Sequence, residues 1–385
     1  MTNSSSQKPG FFSKLWRLLK SAVARFPALF VLEIVTAVAM ALSTSYPLFY
    51  DGDWNSKSLL FAERMNRLAY AGVWGMLFSL MAQLLVERRF RRRTQLAVQA
   101  IIFALSIFAL PRLFLQIGSG ERREVLLVGV TLALCAIIMF ILMRTQGSDI
   151  AFPNFIISAV IAGFFSICAI IARMVLYLAF YSSEKNFPYY ILNNIFTLLT
   201  CISLFVLSPM IFIAFATRER EQISLPFVYQ FIALRILIMI GILFLALLYL
   251  YLFKLLFTDI LTFIGMCMSG REIFLYISFA TSGYLFFYFA SMPDESPFFV
   301  FFRRYGALFM LPLVAMQIFA FVIKIDAEGY TPARAAALLY IIFSIASCAL
   351  TLIKRGKYMP LTFLIFAALC ILGSATPLNI IDFAK

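Results

Sequence analysis

Histidine is absent from this 385-residue chain. Its absence excludes imidazole proton relays, histidine-ligated haem or zinc, and hydrolases built on a histidine base. Charge is scarce too, at 13% of residues, where an ordinary soluble domain carries about 25%. The six cysteines (Cys135, Cys168, Cys201, Cys267, Cys348 and Cys370) are scattered singly in or near apolar runs, and none forms a CxxC. A disulfide framework or zinc site is therefore not expected, and they read as small packing residues. Phosphate-cradling glycine loops, a GxSxG elbow, HExxH and an EF-hand are also missing. No cofactor or metal site is expected, and no catalytic residue is assigned. Asp51 and Asp53 stand close together in the stretch Tyr50 to Arg67, but two acids in a polar loop are weak grounds for a metal.

What fills the chain instead is apolar side chain, 63% of residues. A soluble fold of this size has too much surface to hide it, whereas lipid as solvent removes that demand. The apolar runs are about 20 residues long, the length that crosses a hydrocarbon core about 30 Å thick. They are continuous, which indicates helices and not barrel strands. An all-α polytopic transmembrane helix bundle of about 11 spans is expected, over residues 26–47, 66–86, 96–117, 125–143, 153–180, 191–216, 229–257, 273–292, 305–324, 334–353 and 361–381. Residues 1–25 form a cytoplasmic tail, and residues 26–385 the multi-span domain. Within the tail Phe11, Leu15, Leu18, Leu19 and Ala22 fall at helical spacing while Lys14, Arg17 and Arg25 lie largely off that stripe. That pattern suits an amphipathic helix on the membrane surface. The segment AVAMALS resembles a cleavage site, but the long basic lead-in and Glu33 within the run favour an uncleaved first span.

The formal net charge of +14 would suggest nucleic acid in a soluble protein. Here the basic residues gather in alternate loops, most densely at Arg88, Arg89, Arg91, Arg92 and Arg93. This is the positive-inside pattern, and it places the N-terminus in the cytoplasm. The cluster is read as contacting anionic lipid headgroups, not nucleic acid. The sequence names no protein partner.

Ionisable residues inside spans are costly and so draw attention first. Glu33 and Arg235 each lie about seven residues into a span from the cytoplasmic side, which makes them candidates for an intramembrane ion pair. Arg112, Arg173, Lys254 and Lys324 approach the outer ends of four spans. They are candidates for a site attracting an anion or a lipid phosphate, against the plainer reading of side chains snorkelling to headgroups. Between the ninth and tenth spans the chain reads KIDAEGYTPAR. There Gly329 allows a turn, Pro332 suits the first turn of the next helix, and Thr331 is placed to cap it.

Residues 225–380 resemble the bacterial inner-membrane family called domain of unknown function 4153. The resemblance rests on Arg304 and Tyr305 leading into a span with Leu311 and Pro312, then on the turn residues Glu328, Gly329, Thr331 and Arg334. Family members commonly have Glu-Tyr-Gly at this turn, preceded by an arginine, where this chain has Ala-Glu-Gly-Tyr and Lys324. The resemblance implies a multi-pass protein of the bacterial cytoplasmic membrane and brings no established activity. The expected function is non-enzymatic, in transport or as an envelope-associated scaffold or sensor. The alternative is a membrane-embedded transferase acting on lipid- or isoprenoid-phosphate-linked substrates, so whether the chain is an enzyme stays open at this point.

Overall fold

The computed structural model describes residues 11–49, 56–87, 89–116, 121–181, 189–216, 235–257, 270–354 and 358–375. These residues form twelve helices and no strand. In chain order they are α1 (Phe11–Arg25), α2 (Pro27–Phe49), α3 (Ser56–Val86), α4 (92–116), α5 (Glu121–Gln146) and α6 (Ser148–Tyr181). There follow α7 (189–216), α8 (Leu237–Phe257), α9 (Gly270–Ala290), α10 (Pro297–Glu328), α11 (Pro332–Lys354) and α12 (Leu361–Ala375). Among the described residues nine helices are long and apolar enough to cross a membrane, and shorter apolar helices cover Ile238–Phe253 and Leu361–Ala375. Each expected span has its helix. The chain is an all-α, multi-pass integral membrane protein.

Two helices extend well beyond their expected spans. The second expected span starts near residue 66, yet α3 begins at Ser56. Its polar first turns are helical because Arg67 donates to Glu63 one turn away, the spacing at which helix side chains meet. The ninth starts near residue 305, yet α10 begins at Pro297, where proline's missing N–H costs nothing. It also continues to Glu328, so Lys324 lies within its final turns and the break in KIDAEGYTPAR shrinks to Gly329, Tyr330 and Thr331.

The chain divides into two compact units, one of residues 1–118 and 154–218, the other of residues 119–153 and 219–385. In lipid, helices gain little by burying apolar surface, so they associate through close packing and through polar contacts. The first unit shows both. Helices α2 and α3 form an antiparallel hairpin, and a β-carbon placed on Gly75 would lie 2.4 Å from Ser106 Oγ of α4 and 3.3 Å from a Leu32 methyl of α2. Ala37 and Ala41 of α2 meet Cys201 of α7 with equal economy of side chain.

Two helices of this unit contain a π-helical turn, at Leu105–Ala109 in α4 and at Ser203–Leu207 in α7. Such turns insert one residue into an α-helix and occur frequently at functional sites. The first carries buried Ser106, which bonds back to Ile102 O at 2.7 Å. The second packs against α2 and is followed by Ser208, bonded to Ser166 of α6 at 2.8 Å.

In the second unit α5 and α12 pack through Ala133, Ala136 and Ala367. Helices α9, α10 and α11 share a polar cluster. Gln317 donates to Ser278 Oγ at 2.8 Å, and the Tyr340 hydroxyl donates to Ser278 O at 2.6 Å while lying 2.6 Å from Ser282 Oγ. Gly329 joins α10 to α11 at φ 73° and ψ −167°. Its N–H donates to Ile325 O at 2.9 Å.

Candidate functional site

The polar interior of the first unit begins where α1 passes into α2. Arg25, the last residue of α1, donates through Nε and Nη2 to the two carboxylate oxygens of Glu87, just past α3. A planar guanidinium suits a carboxylate in this two-point fashion. Next comes Pro27, the first residue of α2, which has no N–H to satisfy. Ala28 does have one, and it donates to Gln99 Oε1 of α4 at 3.3 Å. A neighbouring helix thus caps α2.

Gln99 opens a chain of side-chain amides. Its Nε2 donates to Gln83 Oε1 at 2.6 Å, and Gln83 Nε2 reaches Gln95 Oε1 at 3.4 Å. Gln95 Nε2 donates in turn to the carbonyls of Glu87 at 3.1 Å and Phe90 at 2.9 Å. Gln83 and Gln99 are fully buried. A buried amide left unpaired costs about 1–3 kcal/mol, so each link holds its neighbours in register. The sequence carries this signal: Glu87 follows Gln83 at a spacing of four, with its N–H bonded to Gln83 O at the end of α3, and Gln95 and Gln99 have the same spacing on α4.

Glu33 lies deeper on α2. Eight residues separate it from Arg25, about 12 Å along a helix at 1.5 Å per residue. Its level is bracketed by Leu32, which faces Gly75, and by Thr36, which faces Gly72. The residue is 0% exposed, and neither carboxylate oxygen has a hydrogen-bond partner among the described residues. Ser79 of α3, one turn from Gln83, is likewise buried with its hydroxyl unpartnered among them. A charge at such a level must be met by a counter-ion, because an isolated ion in hydrocarbon costs several kcal/mol or more.

The other expected site residues are distributed as follows. Arg235 belongs to the second unit and is exposed. Arg112 and Arg173 belong to the first unit and are exposed, with Arg173 donating to Thr197 Oγ1 at 3.1 Å. Lys324 belongs to the second unit and is half-buried, while the Lys254 side chain lies outside the described residues. Of the basic cluster, Arg89, Arg91, Arg92 and Arg93 are exposed, and Arg88 lies outside the described residues, as do Asp51 and Asp53.

At the turn after α10 the Glu328 side chain is also outside the described residues. Among the described residues the expected hydroxyl cap from Thr331 is not formed. Its backbone carbonyl instead accepts from Arg334 N at 2.9 Å and Ala335 N at 3.0 Å, and the Arg334 guanidinium donates to Gly329 O. Arginine closes this turn because its long side chain folds back along the first turn of α11 onto a carbonyl otherwise left at the helix end.

In the second unit an apolar cavity of about 520 Å³ lies between α8, α9 and α10, with Phe244, Phe279, Phe286, Phe287 and Phe302 among its walls and no acidic or basic side chain in its lining. No family model, curated protein or solved structure matches the chain.

Proposed function

We propose that the chain is a transport protein of the bacterial cytoplasmic membrane, with its N-terminus inside, in which Glu33 binds and releases a proton during the transport cycle. One observation carries this reading: a carboxyl that is 0% exposed, without a partner among the described residues, on a membrane-spanning helix about 12 Å from a polar, basic end. A proton is the smallest counter-charge that such a site accepts. The α7 π-turn packed against α2 supports the reading, since such turns occur frequently at functional sites. The resemblance to domain of unknown function 4153 supports the location, through Arg304, Tyr305, Leu311, Pro312, Glu328, Gly329, Thr331 and Arg334.

The test is proton movement in proteoliposomes holding a pH-sensitive dye, with a panel of solutes offered from outside. Wild-type chain is expected to move protons with at least one solute, and Glu33→Gln to stop that movement while still inserting and folding. Wild-type flux in Glu33→Gln removes Glu33 from the mechanism. Absence of solute-dependent flux from the wild type across the panel removes the transport reading.

A second reading, a transferase acting on lipid- or isoprenoid-phosphate-linked substrates, draws support from the 520 Å³ aromatic cavity, whose dimensions suit an apolar chain. The cavity's lining supplies no acid or base for group transfer. Of the four expected cations, Lys254 and Lys324 belong to the same unit as this cavity. Transfer of a sugar from undecaprenyl phosphate to an added acceptor, with undecaprenyl phosphate as the leaving group, and its loss when the expected cations are neutralised singly, would favour it over transport.

A further inference from the structure

At the basic end of the first unit a cavity of about 290 Å³ lies between the end of α1, the end of α3 and the beginning of α4. Its walls include Arg25, Gln83, Glu87, Arg92, Gln95 and Gln99. We infer that this cavity is a binding site for a phosphate group, with Arg92 as its principal ligand.

Most of the lining's polar groups are already engaged. Glu87 is neutralised by both guanidinium donors from Arg25. The amide oxygens of Gln83, Gln95 and Gln99 each accept a hydrogen bond, and each amide nitrogen donates one. The one lining carboxylate is already paired with Arg25, so the cavity has no net negative charge with which to hold a cation. What remains is Arg92, exposed and with no partner among the described residues, which gives the cavity one net positive charge. Arg92 is also the first residue of α4, where backbone N–H groups have no helical acceptor, and Arg91 before it supplies no side-chain cap. A fork of guanidinium donors beside free backbone donors matches the oxygens of a phosphate.

Position bears on the source of that phosphate. Arg92 opens a membrane-crossing stretch, Arg92–Leu113, so the cavity sits at the level of lipid headgroups. The headgroup phosphate of an acidic phospholipid and a free phosphate offer the same chemistry there, and either group fits a space of this size. The site stands apart from Glu33 and does not depend on the transport reading.

The full chain, purified in a neutral detergent and stripped of lipid, is titrated separately with phosphatidylglycerol, phosphatidylcholine and inorganic phosphate, with bound species counted by native mass spectrometry. Wild type is expected to bind one phosphatidylglycerol more tightly than phosphatidylcholine. Arg92→Gln should weaken that binding about tenfold, as loss of one charge-assisted contact implies. Arg93→Gln, an exposed neighbour outside the cavity, should leave it unchanged. Saturable binding of inorganic phosphate that displaces the lipid, and is itself weakened by Arg92→Gln, would support the site with free phosphate as its source. Equal losses in Arg92→Gln and Arg93→Gln would reduce the site to diffuse surface charge and overturn it. So would binding of neither anion, or equal binding of both lipids.

Discussion

Thr36 and Gly72 stand so close across the α2–α3 contact that a β-carbon built on Gly72 would lie 2.0 Å from Thr36 Oγ1 and 3.1 Å from Thr36 Cβ. No side chain fits there without displacing a helix or the threonine. Gly72→Ala is expected to cost about 1–3 kcal/mol, the usual range for overpacking. The threonine hydroxyl is the nearest obstacle, so Thr36→Ala in the same chain should recover part of the loss. Denaturation in mixed micelles across the double-mutant cycle measures this, and strictly additive costs would show that the contact is not tight.

The amide chain makes a second prediction. Gln99→Leu removes the acceptor of Ala28 N and the donor to Gln83 together, at an expected cost of about 1–3 kcal/mol. Gln83→Leu alone should also destabilise. The double replacement should cost less than the sum, because Gln83 no longer remains as an orphaned partner. The same unfolding assay reads all three.

Gly329 supplies a third. Its φ of 73° with ψ of −167° falls in a region that is essentially reserved for glycine. Gly329→Ala should cost about 1–3 kcal/mol. Gly329→Asn should cost as much, since asparagine tolerates the left-handed helical region and not this one. Thermal unfolding and the rate of proteolytic cutting between α10 and α11 are the measurements, and a wild-type Asn variant would count against this backbone geometry.

Orientation is open to chemical labelling. In a background whose six cysteines are replaced by serine, Arg89→Cys and Thr331→Cys should label from opposite sides of the membrane. Among the described residues seven helices, α4 to α10, run between the two positions. Labelling of Arg89→Cys from outside intact cells would reverse the orientation proposed above.

The architecture was legible in the sequence because lipid imposes a simple rule. Continuous apolar runs of sufficient length become helices: nine of the expected spans coincide with helices long enough to cross, and those at 229–257 and 361–381 with shorter ones over their described residues. Helix ends were less legible where amphipathic turns project past the apolar run, as at Ser56–Arg67 and Pro297–Arg304. Glu33 stood out on cost alone. The glutamines did not, because a buried glutamine and an exposed one look identical until the partner helix is known. Thr331 was read by its local cap chemistry, and the turn was taken instead by Arg334 reaching back to Gly329.

The junction of α1 and α2 has a mechanical consequence. Phe26 N donates to Ala22 O at 2.8 Å, and Phe30 N donates to Phe26 O at 3.2 Å, so helical bonds run on either side of Pro27. The surface-type helix bearing exposed Trp16, Arg17 and Lys20 and the helix bearing Glu33 are therefore two arms of one lever. Its fulcrum is the Arg25–Glu87 clasp. Because α1 also packs on the end of α7, displacing it would strain that contact, the clasp and the start of the helix that carries Glu33 together.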